Sequence, residues 1–116
     1  MRDFEELEVW KISCQLACRV YQALRGCKDY GLLGQMTRAA VSIPSNIAEG
    51  SERGSDREFV QFLYVTRGSA AELRTQIYIA GRLAVLTKEQ VSEFALATKR
   101  IARMLFALIT RLEEKA

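Results

Sequence analysis

The feature that most narrows the fold of this chain is a spacing. Apolar residues recur at alternating steps of three and four, the seam pattern that lets side chains interlock between helices packed with a left-handed twist. The first segment carries Leu7, Trp10, Cys14, Ala17, Tyr21 and Leu24. A later one carries Phe59, Leu63, Thr66, Ala70, Leu73, Ile77 and Ala80, and the last carries Val91, Phe94, Thr98, Ile101, Leu105, Leu108 and Leu112. Between them, Leu32, Met36, Ala39 or Ala40, Ile43 and Ile47 keep helical phase. Ser55 with Glu58 and Thr87 with Gln90 have capping-box spacing, and Gly26, Gly31, Gly50 and Gly54 fall in the connections. Helices are therefore predicted over roughly residues 4–26, 31–50, 55–82 and 88–114. Connections this short place successive helices antiparallel, so the expected fold is one all-α, up-down-up-down four-helix bundle spanning residues 1–116, with no strands.

The only proline, Pro44, interrupts the second helical pattern. Inside a helix, proline removes a backbone hydrogen bond and costs about 3 kcal/mol. Two readings fit: a continuous helix kinked at Pro44, or a helix that stops near Ser42 and restarts with Pro44 in a first turn. In the continuous helix, at 100° per residue, Pro44 falls near Thr37, Val41 and Ala48, off the predicted core stripe.

Composition removes several classes of function. With 49% hydrophobic and 27% charged residues in 116, the chain reads as one ordinary globular domain. No apolar run approaches a membrane span, and the acidic start MRDFEELE is unlike a signal peptide, so a cytoplasmic protein without membrane association is expected. Histidine is absent, which removes the commonest general base and metal ligand. Cys14, Cys18 and Cys27 fit no zinc or redox spacing and read as structural or idle thiols. No phosphate-binding glycine loop or isolated carboxylate pair is present. No catalytic residue, cofactor or metal is expected, and the chain reads as a non-enzyme.

Three surfaces carry the functional expectations. A polar line of Gln35, Arg38, Ser42, Asn46 and Glu49 flanks the second core stripe, opposite Ser69, Glu72 and Gln76. A paired structural network fits this line, as do a ligand or nucleic-acid site and plain solvation; buried polar groups need partners. The first helix has a second apolar stripe, Val9, Ile12, Leu16 and Val20, and the third presents Tyr64 and Tyr78 outside its seam. An apolar arc wider than one core requires points either to self-association or to a wide core.

The third surface is basic. Between Phe59 and Leu112 the bases are Arg67, Arg74, Arg82, Lys88, Lys99, Arg100, Arg103 and Arg111, against Glu72, Glu89 and Glu93. Net charge is +3. Arginine outnumbers lysine twelve to five, and its planar fork suits phosphate. Arg67 and Arg74, with Lys99, Arg100, Arg103 and Arg111, are the candidate phosphate contacts; solvation, or pairing with another subunit's acidic first helix, is the other reading.

The runs YGLLGQMTRAAVSIPSNIAEGSERG and REFVQFLYVTRGSAAELRTQIYIA, with the opening FEELEVWKIS, resemble the bacterial four-helix bundle proteins first noticed as products of 23S rRNA intervening sequences. The most specific parts are Arg38 to Ala40, Ser42 to Pro44, Asn46 to Gly50, Arg53, Gly68, Ser69, Glu72 and Leu73. The family often has Phe-Pro and acidic residues before its Tyr-Gly-Leu, where this chain reads RGCKDYGL, a departure that touches only the first connection. The resemblance implies a ring-like homopentamer without known catalytic activity. A distantly related group, the accessory variability proteins of diversity-generating retroelements, is a basic pentamer that binds a reverse transcriptase and nucleic acid. RNA or DNA, a nucleic-acid-processing protein and a second copy of the chain are thus the expected partners, and Arg53 joins the candidate contacts.

Overall fold

A computed structural model describes residues 3–115. A short 3-10 turn, Phe4–Glu6, precedes four α-helices: α1 Glu8–Ala23, α2 Tyr30–Ser51, α3 Asp56–Arg82 and α4 Lys88–Lys115. The 28 residues of α4 span about 42 Å at 1.5 Å per residue, which matches the 46 Å long axis of a body 20 Å across. The helices therefore run lengthwise. Each packs on its neighbours in chain order, and α1 closes the bundle against α4.

Both predicted caps form, the second as a complete capping box. Ser55 Oγ accepts from the Glu58 N–H at 3.2 Å, while Thr87 and Gln90 exchange bonds in both directions, Gln90 N–H to Thr87 Oγ1 at 3.1 Å and Thr87 N–H to Gln90 Oε1 at 2.9 Å. Asp29 caps α2 by accepting from the Leu32 N–H at 3.1 Å. The first helix starts later than predicted, at Glu8, because Leu7 is extended and the 3-10 turn before it is held by Asp3. It also ends earlier, at Ala23, and Gly26 supplies the left-handed residue, φ 81°, in the connection.

The seam of α1 differs from the predicted one. Its buried line is Val9, Ser13, Leu16, Ala17, Val20 and Leu24, while Trp10 and Cys14 are half-buried and Tyr21 is exposed. Ser13 hid this line from the pattern: its hydroxyl donates to the Val9 carbonyl at 2.6 Å, so a polar residue sits in the core at no hydrogen-bonding loss. Val9, Leu16 and Val20 are thus core residues of their own chain rather than an oligomer interface, and Ile12 packs half-buried beside them.

Helix α2 runs unbroken through Pro44, which removes the restart reading. Pro44 is buried, not off the core. The reason is the width of the buried arc: α2 is sandwiched between α1 and α3, so the line Thr37, Ala40, Pro44 and Ser51 is covered as well as Met36, Ile43, Ile47 and Gly50. Two side chains bond back to the same helix around the proline. Ser42 Oγ donates to the Ala39 carbonyl at 2.7 Å, and Asn46 Nδ2 donates to the Ser42 carbonyl at 2.9 Å.

Helix α3 approaches α2 most closely at Gly50, where an added Cβ would lie 2.5 Å from Phe62 Cβ and 3.0 Å from Phe59 Cδ1. Gly68, by contrast, has nothing within 4 Å of that position. Gly50→Ala should therefore destabilise the fold by about 1–3 kcal/mol through overpacking. Gly68→Ala should stabilise it by about 0.5–1 kcal/mol through helix propensity. Chemical denaturation of the two variants beside the parent measures these opposite signs. Ala84 is the one described non-glycine residue with positive φ, at 60°, just beyond α3. Ala84→Gly should relieve about 1 kcal/mol and raise Tm by a few degrees in a thermal melt.

Candidate functional site

The residues singled out by the sequence divide among three faces. On α2, the line Arg38, Ser42, Asn46 and Glu49 is half-buried only at Ser42 and Asn46, and it forms no hydrogen-bonded network with α3 among the described residues. Ser42 and Asn46 spend their hydrogen bonds on their own helix, Glu49 pairs with Arg53 at 3.4 Å, and Arg38 is exposed. Ser69 is half-buried and Glu72 exposed, and among the described residues neither makes a hydrogen bond or ion pair with that line. Short polar side chains near a proline find backbone carbonyls one turn away before they find another helix. Gln76, on the same flank of α3, is 7% exposed and its Oε1 has no hydrogen-bond partner.

These contacts predict unequal costs. Asn46→Ala should lose about 1 kcal/mol of stability, the worth of one intramolecular hydrogen bond. Gln76→Met should gain about 1 kcal/mol, because it replaces an unsatisfied buried amide with an apolar chain of similar volume. Urea titration of both variants decides the signs.

Arg53 lies apart from the other candidate bases. Its guanidinium is 4.8 Å from the Phe62 ring centroid and paired with Glu49, at the α2–α3 connection. The basic arc of α4 splits in two. Arg100 lies on the α1 side, lining a hollow of about 140 Å³ with Gln15, Arg19 and Glu93, of which Arg19 and Glu93 form an ion pair. Arg111, eleven residues on and so three turns along the same line, shares that side. Lys99 lies 100° round the helix from Arg100, on the side of Phe106 and α3, and Arg103 sits between the two on the outward face.

The α3–α4 side is where the geometry concentrates. Gly81 meets Val91, and Arg67 meets Phe106, which fixes the antiparallel register of the two helices. In that register the α3 line Tyr64, Arg67, Ala71, Arg74 and Tyr78 runs beside the α4 line Lys99, Ala102 and Phe106, with Arg103 at its outer edge. The Arg67 guanidinium lies 5.5 Å from the Phe106 centroid and 6.0 Å from that of Tyr64. Farther along, Tyr78, Arg82 and Lys88 line a concavity of about 400 Å³. The opposite end of the groove, about 490 Å³, is closed by Asp56, Arg57, Tyr64 and Glu113.

The ion pairs among the described residues engage Lys11, Arg19 and Arg53, and none of the groove's bases. Between Tyr64 and Lys88 the tract holds Arg67, Arg74, Arg82, Lys99 and Arg103 without a facing carboxylate. Charge is also sorted along the bundle. Antiparallel packing gathers Arg25, Lys28, Arg82 and Lys88 with Asp29 and Glu89 at one end, and Asp3, Glu5, Glu6, Glu52, Asp56, Glu58, Glu113 and Glu114 with Arg53, Arg57, Arg111 and Lys115 at the other, so the first end is net positive and the second net negative. Arg2, the one base among the first ten residues, lies outside the described residues.

Phe106, 57% exposed, is the functional candidate that the sequence reading missed. Its signal was present: it lies three residues after Arg103 and seven after Lys99, on a helix face otherwise read as basic. The cysteines add no reactive centre to this face. They lie on α1 and in the α1–α2 connection, and burial, then the neighbouring Cys18, pushes the Cys14 thiol above its ordinary range.

Comparison with known proteins settles the family. The model of the 23S rRNA-intervening sequence proteins matches residues 5–107. This chain belongs to that family. A crystal structure of a protein with unknown function, from the S23 ribosomal protein family of Bacteroides thetaiotaomicron VPI-5482, superposes with a TM-score of 0.81 at 25% identity, covering 87% of this chain and 97% of that one. No curated protein matches the chain. The family membership agrees with the resemblance in the runs around Pro44 and Gly68, and the superposition extends the agreement to the bundle itself. No helix among the described residues is long and apolar enough to cross a membrane.

Proposed function

We propose that this member of the 23S rRNA-intervening sequence family is a non-enzymatic, cytoplasmic, self-associating bundle that binds nucleic-acid backbone through the α3–α4 groove. The observation that carries this reading is the row of unpaired bases on that groove, Arg67, Arg74, Lys99, Arg103, Arg82 and Lys88. Arg67, held beside the rings of Tyr64 and Phe106, is already partly ordered, so less side-chain freedom is lost when a phosphate docks there. Symmetric self-association, pentameric by the family resemblance, would repeat the row and raise the local potential.

With the α1 stripe buried in the core, the surface available for self-association moves to the outer face of α3. Val65 is exposed there one turn from the open Gly68, with Ile79 farther along and Leu83 just beyond the helix end. That same apolar face favours a second reading, a scaffold that docks a nucleic-acid-processing protein without touching nucleic acid itself. Nuclease treatment separates the two: a complex with partner protein that survives nuclease and high salt belongs to the scaffold reading.

Binding through phosphates should weaken steeply with salt, with a log–log slope of about −0.7 to −0.9 for each contact. Arg67→Ala and Arg74→Ala should each flatten that slope by about one contact, whereas Arg53→Ala, remote from the groove, should leave it unchanged. Fluorescence anisotropy of labelled RNA and DNA over a salt series measures both. Absence of binding at low ionic strength would sink the reading.

A further inference from the structure

Aromatic rings are interspersed with the basic row, Tyr64 and Phe106 beside Arg67 and Tyr78 farther along, and restraining Arg67 leaves their exposed faces without a role in phosphate binding. Tyr64, Phe106 and Tyr78 are 47%, 57% and 43% exposed, on the same groove as the bases. We infer that the α3–α4 groove is a single-strand site, in which unpaired bases stack on Tyr64, Phe106 and Tyr78 while the strand's phosphates meet the neighbouring arginines and lysines. This rests on the nucleic-acid reading given above and narrows it to one class of ligand.

A duplex keeps its bases stacked on one another and presents phosphates and groove edges, so it has no free base face for a ring on a helix surface. A single strand has both a charged backbone and free base faces, and single-strand binders combine a basic groove with aromatic platforms for that reason. The groove has this combination. Arg67 lies beside both Tyr64 and Phe106, which restrains the two rings and the guanidinium together, and the exposure of each ring leaves area for a base. Arg74 and Lys99 lie farther along, followed by Tyr78 with Arg82 and Lys88.

Length and polarity agree with a strand lying along the groove. From Arg67 to Arg82 is fifteen residues of helix, about 22 Å, room for roughly four nucleotides, the lower end of single-strand site sizes. The bases continue to the end of the bundle that holds Lys88, and the carboxylates of Asp56 and Glu113 mark the other end of the groove. Beyond Tyr64 those two carboxylates outnumber the one base of that hollow, Arg57, so favourable charge falls off there. RNA and DNA single strands share the stacking and phosphate chemistry, so the experiment includes both.

The test compares short oligouridine, oligothymidine and a duplex RNA of equal length against the full chain, by anisotropy at one fixed low salt concentration. The expected result is at least tenfold preference for one or both single strands, and whichever is tighter identifies the source. Phe106→Ala and Tyr64→Ala should each weaken single-strand binding about 5- to 100-fold and weaken duplex binding far less, since a duplex loses only the restraint on Arg67. Phe106→Trp should retain binding, which separates loss of stacking from loss of fold; circular dichroism melts of all variants accompany the titrations. Equal or tighter duplex binding, or single-strand binding indifferent to Phe106→Ala and Tyr64→Ala, overturns the single-strand assignment while leaving the phosphate reading standing. No binding to any of the three probes overturns both.

Discussion

The fold depends on α2 being covered on two sides at once. Its buried arc spans Met36, Ile43, Ile47 and Gly50 together with Thr37, Ala40, Pro44 and Ser51, because α1 closes one flank and α3 the other. Gly50 lets α3 come within contact of the backbone there, with Phe59 and Phe62 filling the space a side chain would need. Fully burying a chain the size of Ile47 or Leu63 contributes about 1.5–3 kcal/mol, so a helix with nine buried positions can absorb the hydrogen bond that Pro44 removes. The back-bonds from Ser42 and Asn46 tie the turns around that gap to their own helix. The segment around Pro44 is accordingly a packing device, and its polar side chains serve the helix they stand on.

Because α2 and α3 are fixed by that contact, the opposite flank of α3 is left to meet α4. There the same helix carries core residues on one line and Tyr64, Arg67, Ala71, Arg74 and Tyr78 on the next. The Gly81–Val91 approach and the Arg67–Phe106 contact set the register, and the register brings bases from two helices onto one groove. Antiparallel topology adds a net excess of bases at one end and of acids at the other. A modest net charge of +3 is thereby converted into a local field, which is the form of charge that matters for phosphate recognition.

Much of this was legible in the chain. The three-four spacing in α3 and α4, the two capping boxes, and the short connections specify four antiparallel helices through local physics alone: side-chain periodicity, satisfied helix ends, and limited loop reach. The motifs around Pro44 and Gly68 pointed to the family. Less legible was which stripe of α1 faces inward, because Ser13 satisfies its hydroxyl within the helix and so passes for a surface residue. Val9, Leu16 and Val20 looked surplus for the same reason.

What the sequence determined by itself was the set of helices, their order and the family to which the chain belongs, since these follow from short-range patterns and motif identity. Only the tertiary structure decided that Pro44 is buried, that Ser42 and Asn46 bond to their own helix, and that Arg100 and Arg111 part company with Lys99 and Arg103. It also placed Phe106 beside Arg67, residues 39 positions apart in the chain. Periodicity records which residues share a face; it does not record which neighbour covers that face. That choice is made when two helices meet, and here it separates a core from a groove.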